Sequence, residues 1–246
     1  MNIQTPVLGI YLMADTGVVE LAVAAVEGGA TTIEFGIPYS DPLADGPVVQ
    51  RAGQRALRGG MTTPRALELV SELRAQVDVP IVPMTYAAPV MAFGEGRFCA
   101  AAAAAGANGL IVPDVPSDEA GDLLAACRDN SLDLVPLLAP TSTDARIELA
   151  CAHAGGFVYL VSVTGTTGAR AEFSGRVAGL IEHTRRYTHL PLVVGFGIST
   201  PAHAQAALEA GADGVIIGSR AIEVAEEGGP DGLRAFVAGI ATGLHG

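Results

Sequence analysis

The stretch Thr31–Gly53, TTIEFGIPYSDPLADGPVVQRAG, decides how the rest of the chain is read. It opens as a β-strand, because Ile33, Phe35 and Ile37 alternate with Thr32, Glu34 and Gly36. In a sheet covered by helices the bulky face packs under the helices, so Glu34 points to the other side, into whatever the sheet encloses. A carboxylate in that position is costly unless a function uses it. Pro38 stops the strand, and the following loop carries Asp41 and Asp45 among Pro42, Gly46 and Pro47. Acids on a strand end and on the next loop are how a β/α barrel assembles a site at its C-terminal rim.

Working outward, short apolar runs recur, each ahead of a stretch with helical spacing. Strands are expected near 7–14, 31–38, 80–86, 109–113, 133–138, 157–163, 191–196 and 214–218. Helices are expected near 17–28, 48–58 with 63–76, 94–105, 117–129, 143–153, 173–187, 200–210 and 229–242. Several helices end in a small-residue turn of one type: Gly28-Gly29-Ala30, Ala105-Gly106-Ala107, Ala154-Gly155-Gly156 and Ala210-Gly211-Ala212. Glycine just past a helix is the expected stop. Alternating strands and helices imply a parallel sheet, and near-continuous apolar strands imply that both its faces are buried. With 246 residues, half of them hydrophobic, the expectation is α/β: a single (β/α)8 TIM-barrel domain over residues 1–246. A doubly wound open sheet is the alternative.

Composition narrows the chemistry. The net charge of −12 argues against nucleic acid or an anionic membrane as partner, while a local nest of backbone N–H groups still suits a phosphate. All 14 basic residues are arginine. The absence of lysine excludes a Schiff-base aldolase and an attached pyridoxal phosphate. The histidines are scattered, with no pair at metal-ligand spacing, so no metal is expected. Cys99, Cys127 and Cys151 are widely spaced and read as reduced thiols. The N-terminus lacks the basic start of a signal peptide, and no apolar stretch reaches membrane-spanning length uninterrupted. A cytoplasmic setting is the expectation.

Two strand ends near the C-terminus carry a second signal. VVGFGIST (193–200) ends in Gly195-Phe196-Gly197, and VIIGSR (215–220) ends in Gly218-Ser219, both opening onto helix starts. Loops after the last two strands of many barrels hold a phosphate on backbone N–H groups. The Gly- and Thr-rich segment VSVTGTTGAR (161–170) reads as a loop that closes on substrate and supplies the N–H of Gly168. Burial raises the pKa of Glu34 toward neutrality, which suits a proton shuttle. Asp45 alone is equally well a turn residue. Tyr159 shares strand parity with Val161 and Val163 and is either a core tyrosine or a site residue. His153, His183, His189 and His203 fall in helices or at helix ends and read as surface residues.

Taken together, these motifs resemble the signature of the tryptophan synthase alpha-subunit family. They are IEFGIPYSDPLADGPVVQRA at 33–52, MTYAAP at 84–89, VPDVP at 112–116, YLVSVTGTTGAR at 159–170, GFGIST at 195–200 and GSR at 218–220. The resemblance implies a lyase that cleaves indole-3-glycerol phosphate to indole and glyceraldehyde 3-phosphate without a cofactor, with a pyridoxal-phosphate beta subunit as partner. It implies Glu34 as proton shuttle, Asp45 as the carboxylate beside the indole nitrogen, and Tyr159 as a wall of the site near the shuttle. It also implies Gly168, Gly197, Gly218 and Ser219 as the phosphate nest, with Tyr86, Phe196 and Ile216 lining a flat indole pocket. Three departures stand out. No helix precedes the first strand, which leaves the barrel floor less covered. Ala14-Asp15-Thr16 replaces a Gly-Asp-Pro turn. Ala88 replaces a common asparagine on the surface that faces the beta subunit. Two other readings fit the same motifs: a free-standing lyase that supplies indole alone, and a weak barrel that mainly activates a partner. Another phosphate-sugar barrel has no place for the IPYSDPLADGP loop.

Overall fold

The computed structural model describes residues 1–161, 170–195 and 197–244, with the side chains of 170–176 excepted. Its apolar runs form parallel strands β1 (Val7–Met13), β2 (Thr32–Gly36), β3 (Ile81–Met84), β4 (Gly109–Leu110), β5 (Asp133–Leu134), β6 (Leu137–Leu138), β7 (Val158–Val161), β8 (Leu192–Gly195) and β9 (Gly214–Ile217). One sheet runs β3-β2-β1-β9-β8-β7-β6, and β4-β5 form a second. A bridge between Met84 and Ile111 joins β3 to the β4 run. The run 133–138 joins the other side, so the strands close into a (β/α)8 barrel rather than an open sheet.

The expected strand at 133–138 is split, and Pro136 is the reason. Val135 N donates to Leu110 O, on the β4 side, at 3.0 Å. Tyr159 N donates to Pro136 O, on the β7 side, also at 3.0 Å. Proline has no N–H to continue either ladder. One run therefore changes partner in its middle and reads as two short strands.

Around the ring lie α1 (Val18–Glu27), α2 (Pro47–Arg58), α3 (Thr63–Arg74), α4 (Ala87–Phe93), α5 (Glu95–Ala104), α6 (Gly121–Asp129), α7 (Asp144–His153), α8 (Arg170–Thr184), α9 (Pro201–Glu209) and α10 (Ser219–Leu244). Two differ from expectation. The short α4 was not anticipated; its first N–H, from Ala87, donates to Asp114 Oδ1 at 2.8 Å, a cap supplied from the next βα loop. Helix α10 begins at Ser219, not near 229, and continues past a kink at Gly229, which is non-helical and precedes Pro230. Three of the four repeated turns share one helix stop, whereas at Ala154-Gly155-Gly156 the chain leaves α7 through an extended Ala154. Gly29, Gly106 and Gly211 all have positive φ. The next residue's N–H reaches back five residues in each: Ala30 to Ala25 O, Ala107 to Ala102 O, and Ala212 to Ala207 O.

Strand alternation divides the apolar side chains into two layers. Ile33, Phe35 and Ile37 pack outward with Leu73, Ile81 and Leu110 under the helices. Val7, Tyr11, Val82, Ile111, Tyr159, Val193 and Ile216 fill the barrel itself. Met1 and Ile3 pack against this inner cluster. None of the helices among the described residues is long and apolar enough to cross a membrane.

Two interior rings fit only because a neighbouring strand carries glycine. A Cβ on Gly36 would lie 2.6 Å from Tyr11 Cζ and closer still to its hydroxyl. A Cβ on Gly195 would meet the Tyr159 ring and hydroxyl in the same way. Gly36→Ala and Gly195→Ala should each cost about 1–3 kcal/mol from overpacking, read as a lower urea midpoint. Gly36→Ala combined with Tyr11→Ala should be less destabilised than the sum of the single changes. Single variants that unfold at the parental midpoint would refute the constraint.

Candidate active site

At the C-terminal rim the barrel opens into a cavity of about 710 Å³. Its inner wall is set by strand parity. Glu34 on β2 lies in register with Tyr11 on β1 and Val82 on β3, and it is 3% exposed. Tyr11, Tyr159, Met84 and Ile216 line the same space. Asp45 enters from the loop before α2, just ahead of Gly46, which caps that helix with Pro47 in its first turn. The opposite end is framed by Gly197, Ser199, Gly218 and Ser219. Helix α10 starts there, with Ile222 N donating to Gly218 O at 3.1 Å. The preceding amides of its first turn have no acceptor within the helix.

The two acids sit in different surroundings. Burial pushes the Glu34 carboxyl up to about 8, and the charge of Asp45 raises it further in the same direction. Glu34 Oε2 is buried and has no hydrogen-bond partner among the described residues. The Asp45 carboxyl is also raised by burial, but a hydrogen bond with the Tyr86 hydroxyl works against that rise. Glu34 is therefore mostly protonated at pH 7, and Asp45 has a donor that favours its anion. Burial, followed by the nearby carboxylates, holds the Tyr11 and Tyr159 hydroxyls well above the usual tyrosine range. Both stay neutral.

The sequence-derived site residues divide as follows. Glu34, Asp45, Tyr159, Gly197, Ile216, Gly218 and Ser219 border one cavity. Tyr86 does not line it; it stands behind Asp45 in a small adjoining recess with Tyr39 and Pro42. Its hydroxyl accepts from Ala44 N at 3.0 Å, and its ring lies 5.4 Å from that of Tyr39. Tyr86 thus fixes the acid-bearing loop rather than forming a wall. Gly168 and Phe196 lie outside the described residues, as does most of the 161–170 loop. Other rim acids are engaged elsewhere: Asp15 pairs with Arg55 at 2.7 Å, and Asp114 caps α4. Sequence reasoning passed over Tyr11, although the parity of Gly9, Tyr11 and Met13 pointed to it. It also passed over Arg220 and Glu223, which line the cavity from the first turns of α10. Among the described residues no cluster of three His, Cys, Asp or Glu side chains is arranged to hold a metal ion.

Fold and site together define a TIM-barrel protein whose rim cavity links a buried glutamate and a half-buried aspartate to a glycine-framed helix N-terminus. Comparison with known proteins makes the assignment specific. The family model for the tryptophan synthase alpha chain matches residues 11–237, and the chain belongs to that family. The tryptophan synthase alpha chain of Methanosarcina acetivorans is 48% identical over 225 residues, which cover 91% of this chain and 81% of the relative. That of Chloroflexus aurantiacus is 47% identical over 227 residues, covering 92% and 85%. Among solved structures, a chain of tryptophan synthase from M. tuberculosis in its aminoacrylate-bound form superposes with TM-score 0.88 at 35% identity, covering 98% and 94%. One from the tryptophan synthase complex of Pyrococcus furiosus gives 0.89 at 31%, covering 98% and 100%.

The raised carboxyl has a measurable consequence for stability. Between about 4.5, its ordinary value, and about 8, folded Glu34 holds a proton that the unfolded chain has released. Stability from this group therefore falls as pH rises through that window, by about 1.4 kcal/mol per pH unit. Glu34→Gln should remove the slope. Its urea midpoint should match the parent near pH 4.5 and exceed it at pH 8.5. Identical pH profiles for the two proteins would contradict a buried, protonated Glu34.

Proposed function

We propose that this chain cleaves indole-3-glycerol phosphate to indole and glyceraldehyde 3-phosphate, as the alpha subunit of a tryptophan synthase. The observation that carries the reading is a protonated Glu34 sharing one cavity with Asp45 and with the Gly197–Ser219 end. Family membership supports it, and the name shared by the relatives favours the synthase subunit over a free-standing lyase.

The chemistry needs no lysine because the substrate carries its own electron sink. Glu34 donates its proton to indole C3. The ring nitrogen becomes positively charged as the N–C2=C3 unit turns into an iminium, and the Asp45 carboxylate stabilises that charge. Glu34, now a carboxylate, takes the proton of the glycerol hydroxyl adjoining the ring. The C–O bond becomes an aldehyde carbonyl, the C3–glycerol bond breaks, and its electron pair neutralises the iminium. One proton is given and one returns. The environments suit the roles: a neutral acid buried in the barrel, and a second carboxyl whose anion has a hydrogen-bond donor. In this reading Tyr86 is a positioning residue for Asp45, and Tyr11 and Tyr159 wall the reacting carbon. The amides near Gly197, Gly218 and Ser219 hold the phosphate, joined by Gly168 from the 161–170 loop, while Ile216 and Phe196 border the indole ring.

A beta subunit is the proposed partner. Leu43 and Met91 are the large apolar side chains most exposed among the described residues, at 85% and 67%. They lie on the acid-bearing loop and on α4, where exposed Ala88 also sits. The free, buried cysteines fit a cytoplasmic setting.

The direct test offers indole-3-glycerol phosphate to the purified chain and follows indole release. Glu34→Gln and Asp45→Asn should each lower the rate at least about a hundredfold, the usual scale for acid–base groups. Most activity surviving in either variant would refute the roles given. Because Glu34 acts first as an acid, kcat/KM of the parent should decline as pH rises through about 8. A profile flat to pH 9.5 would remove Glu34 as the donor.

A further inference from the structure

We propose that Arg220 recognises the phosphate of the ligand and is held in reserve by Glu223 and Glu227 until a phosphate displaces them. The inference rests on reading the Gly197–Ser219 end of the cavity as its phosphate end. It adds a side chain to what is otherwise a backbone site.

Three observations carry it. Among the described residues lining the cavity, Arg220 is the one cation, set against the acids Glu34, Asp45 and Glu223. The chain as a whole has a net charge of −12, so an anion approaching the rim meets a repulsive field unless a local positive charge offsets it. Arg220 supplies that charge at the end of the cavity where the glycines and Ser219 stand.

Its position on the helix is the second observation. Arg220 is in the first turn of α10, which has no acidic residue there. The amides of a first turn already present positive partial charge, and a cation beside them costs helix stability. Local helix preference would select an acid. Placing arginine in that turn adds a long, flexible cation to the same end of the helix, with its guanidinium now resting beside Glu223 one turn on, and suits an incoming anion.

The third is how the guanidinium is held. Its Nη1 lies 3.2 Å from Glu223 Oε2 and 3.9 Å from Glu227 Oε1, with the three side chains 38%, 39% and 70% exposed. Both partners are one and two turns along the same helix. Such exposed pairs are weak and screened by solvent. A phosphate dianion offers the arginine fork several acceptor oxygens and a larger charge, so partner exchange favours the ligand. Glu223 remains beside the site and repels the anion, which tempers its affinity.

The test measures binding of inorganic phosphate and of glycerol 3-phosphate by calorimetry, alongside indole-3-glycerol phosphate kinetics. Arg220→Gln, which keeps a polar stem, should weaken both phosphate ligands at least about tenfold. It should raise KM with kcat nearly unchanged, and leave the affinity for indole unaltered. Arg220→Lys should recover part of the loss. Glu223→Gln should tighten phosphate binding about threefold. Unchanged phosphate affinity in Arg220→Gln, with thermal melting showing a folded protein, overturns the proposal. So does an equal loss of indole affinity, which marks general damage. A parent that binds phosphate through Arg220 yet does not release indole would sink the proposed reaction and leave the role of Arg220 standing.

Discussion

The removal of the Glu34 carboxyl from water, within reach of a second carboxyl, is the constraint on which the site depends. A rise from 4.5 to about 8 corresponds to on the order of 5 kcal/mol disfavouring the ionised form. That is comparable with the whole net stability of many domains. The protein meets it by keeping Glu34 protonated, in a barrel interior it shares with the apolar side chains of Val82, Met84, Ile111 and Ile216. Asp45, nearer the mouth, keeps the Tyr86 hydroxyl as a donor. Two residues with almost the same chemistry are thereby set apart: burial raises both carboxyls, and only that of Asp45 has a hydrogen bond opposing the rise. The difference comes from depth in the barrel and from one hydrogen bond.

The rest of the interior follows from making room beside that carboxyl. Tyr11 and Tyr159 approach Glu34 from β1 and β7, and each passes over the glycine of an adjoining strand, Gly36 or Gly195. Bulk on one strand and its absence on the next form a single packing unit. It leaves flat walls and an open volume above them, where a fully packed barrel would fill the space with branched side chains. The glycines that shape the pocket thus do so from below, by letting aromatic rings lie across the sheet. Those at the rim, Gly197 and Gly218, leave backbone accessible at the opposite end of the cavity.

What the sequence made legible was whatever depends on strand period and local turn chemistry. Glu34 was placed inside the barrel by a period of two, and Ile33, Phe35 and Ile37 outside it by the same count. The small-residue helix stops could be read because positive φ selects glycine. What escaped depended on contacts between strands or loops distant in sequence. Pro136 divides its strand because its two neighbours lie on opposite sides, which no local pattern reveals. Helix α4 is short, contains Pro89, and is capped by Asp114 from another loop. The early start of α10 was hidden by Gly228-Gly229-Pro230, which reads as a break although the structure makes it only a kink. Tyr86 was placed in the pocket wall by the family resemblance; in the structure its hydroxyl accepts from Ala44 N and it borders a recess beside Asp45.

Charge is arranged along the cavity in a way that bears on how a substrate must enter. Acids occupy the deep and lateral walls, and Arg220 with the first-turn amides of α10 occupies the far end. A ligand with phosphate at one terminus and a ring that becomes cationic at the other has one favourable orientation in that field. The reversed pose would set a dianion against Asp45 and leave the guanidinium facing an apolar ring. Discrimination between poses therefore needs no tight fit around the ring, because opposite charges at the two ends decide it. That leaves the middle of the cavity, bordered by Tyr11, Tyr159 and Ile216, free in the proposed reaction to accommodate the change in geometry as the carbon–carbon bond opens.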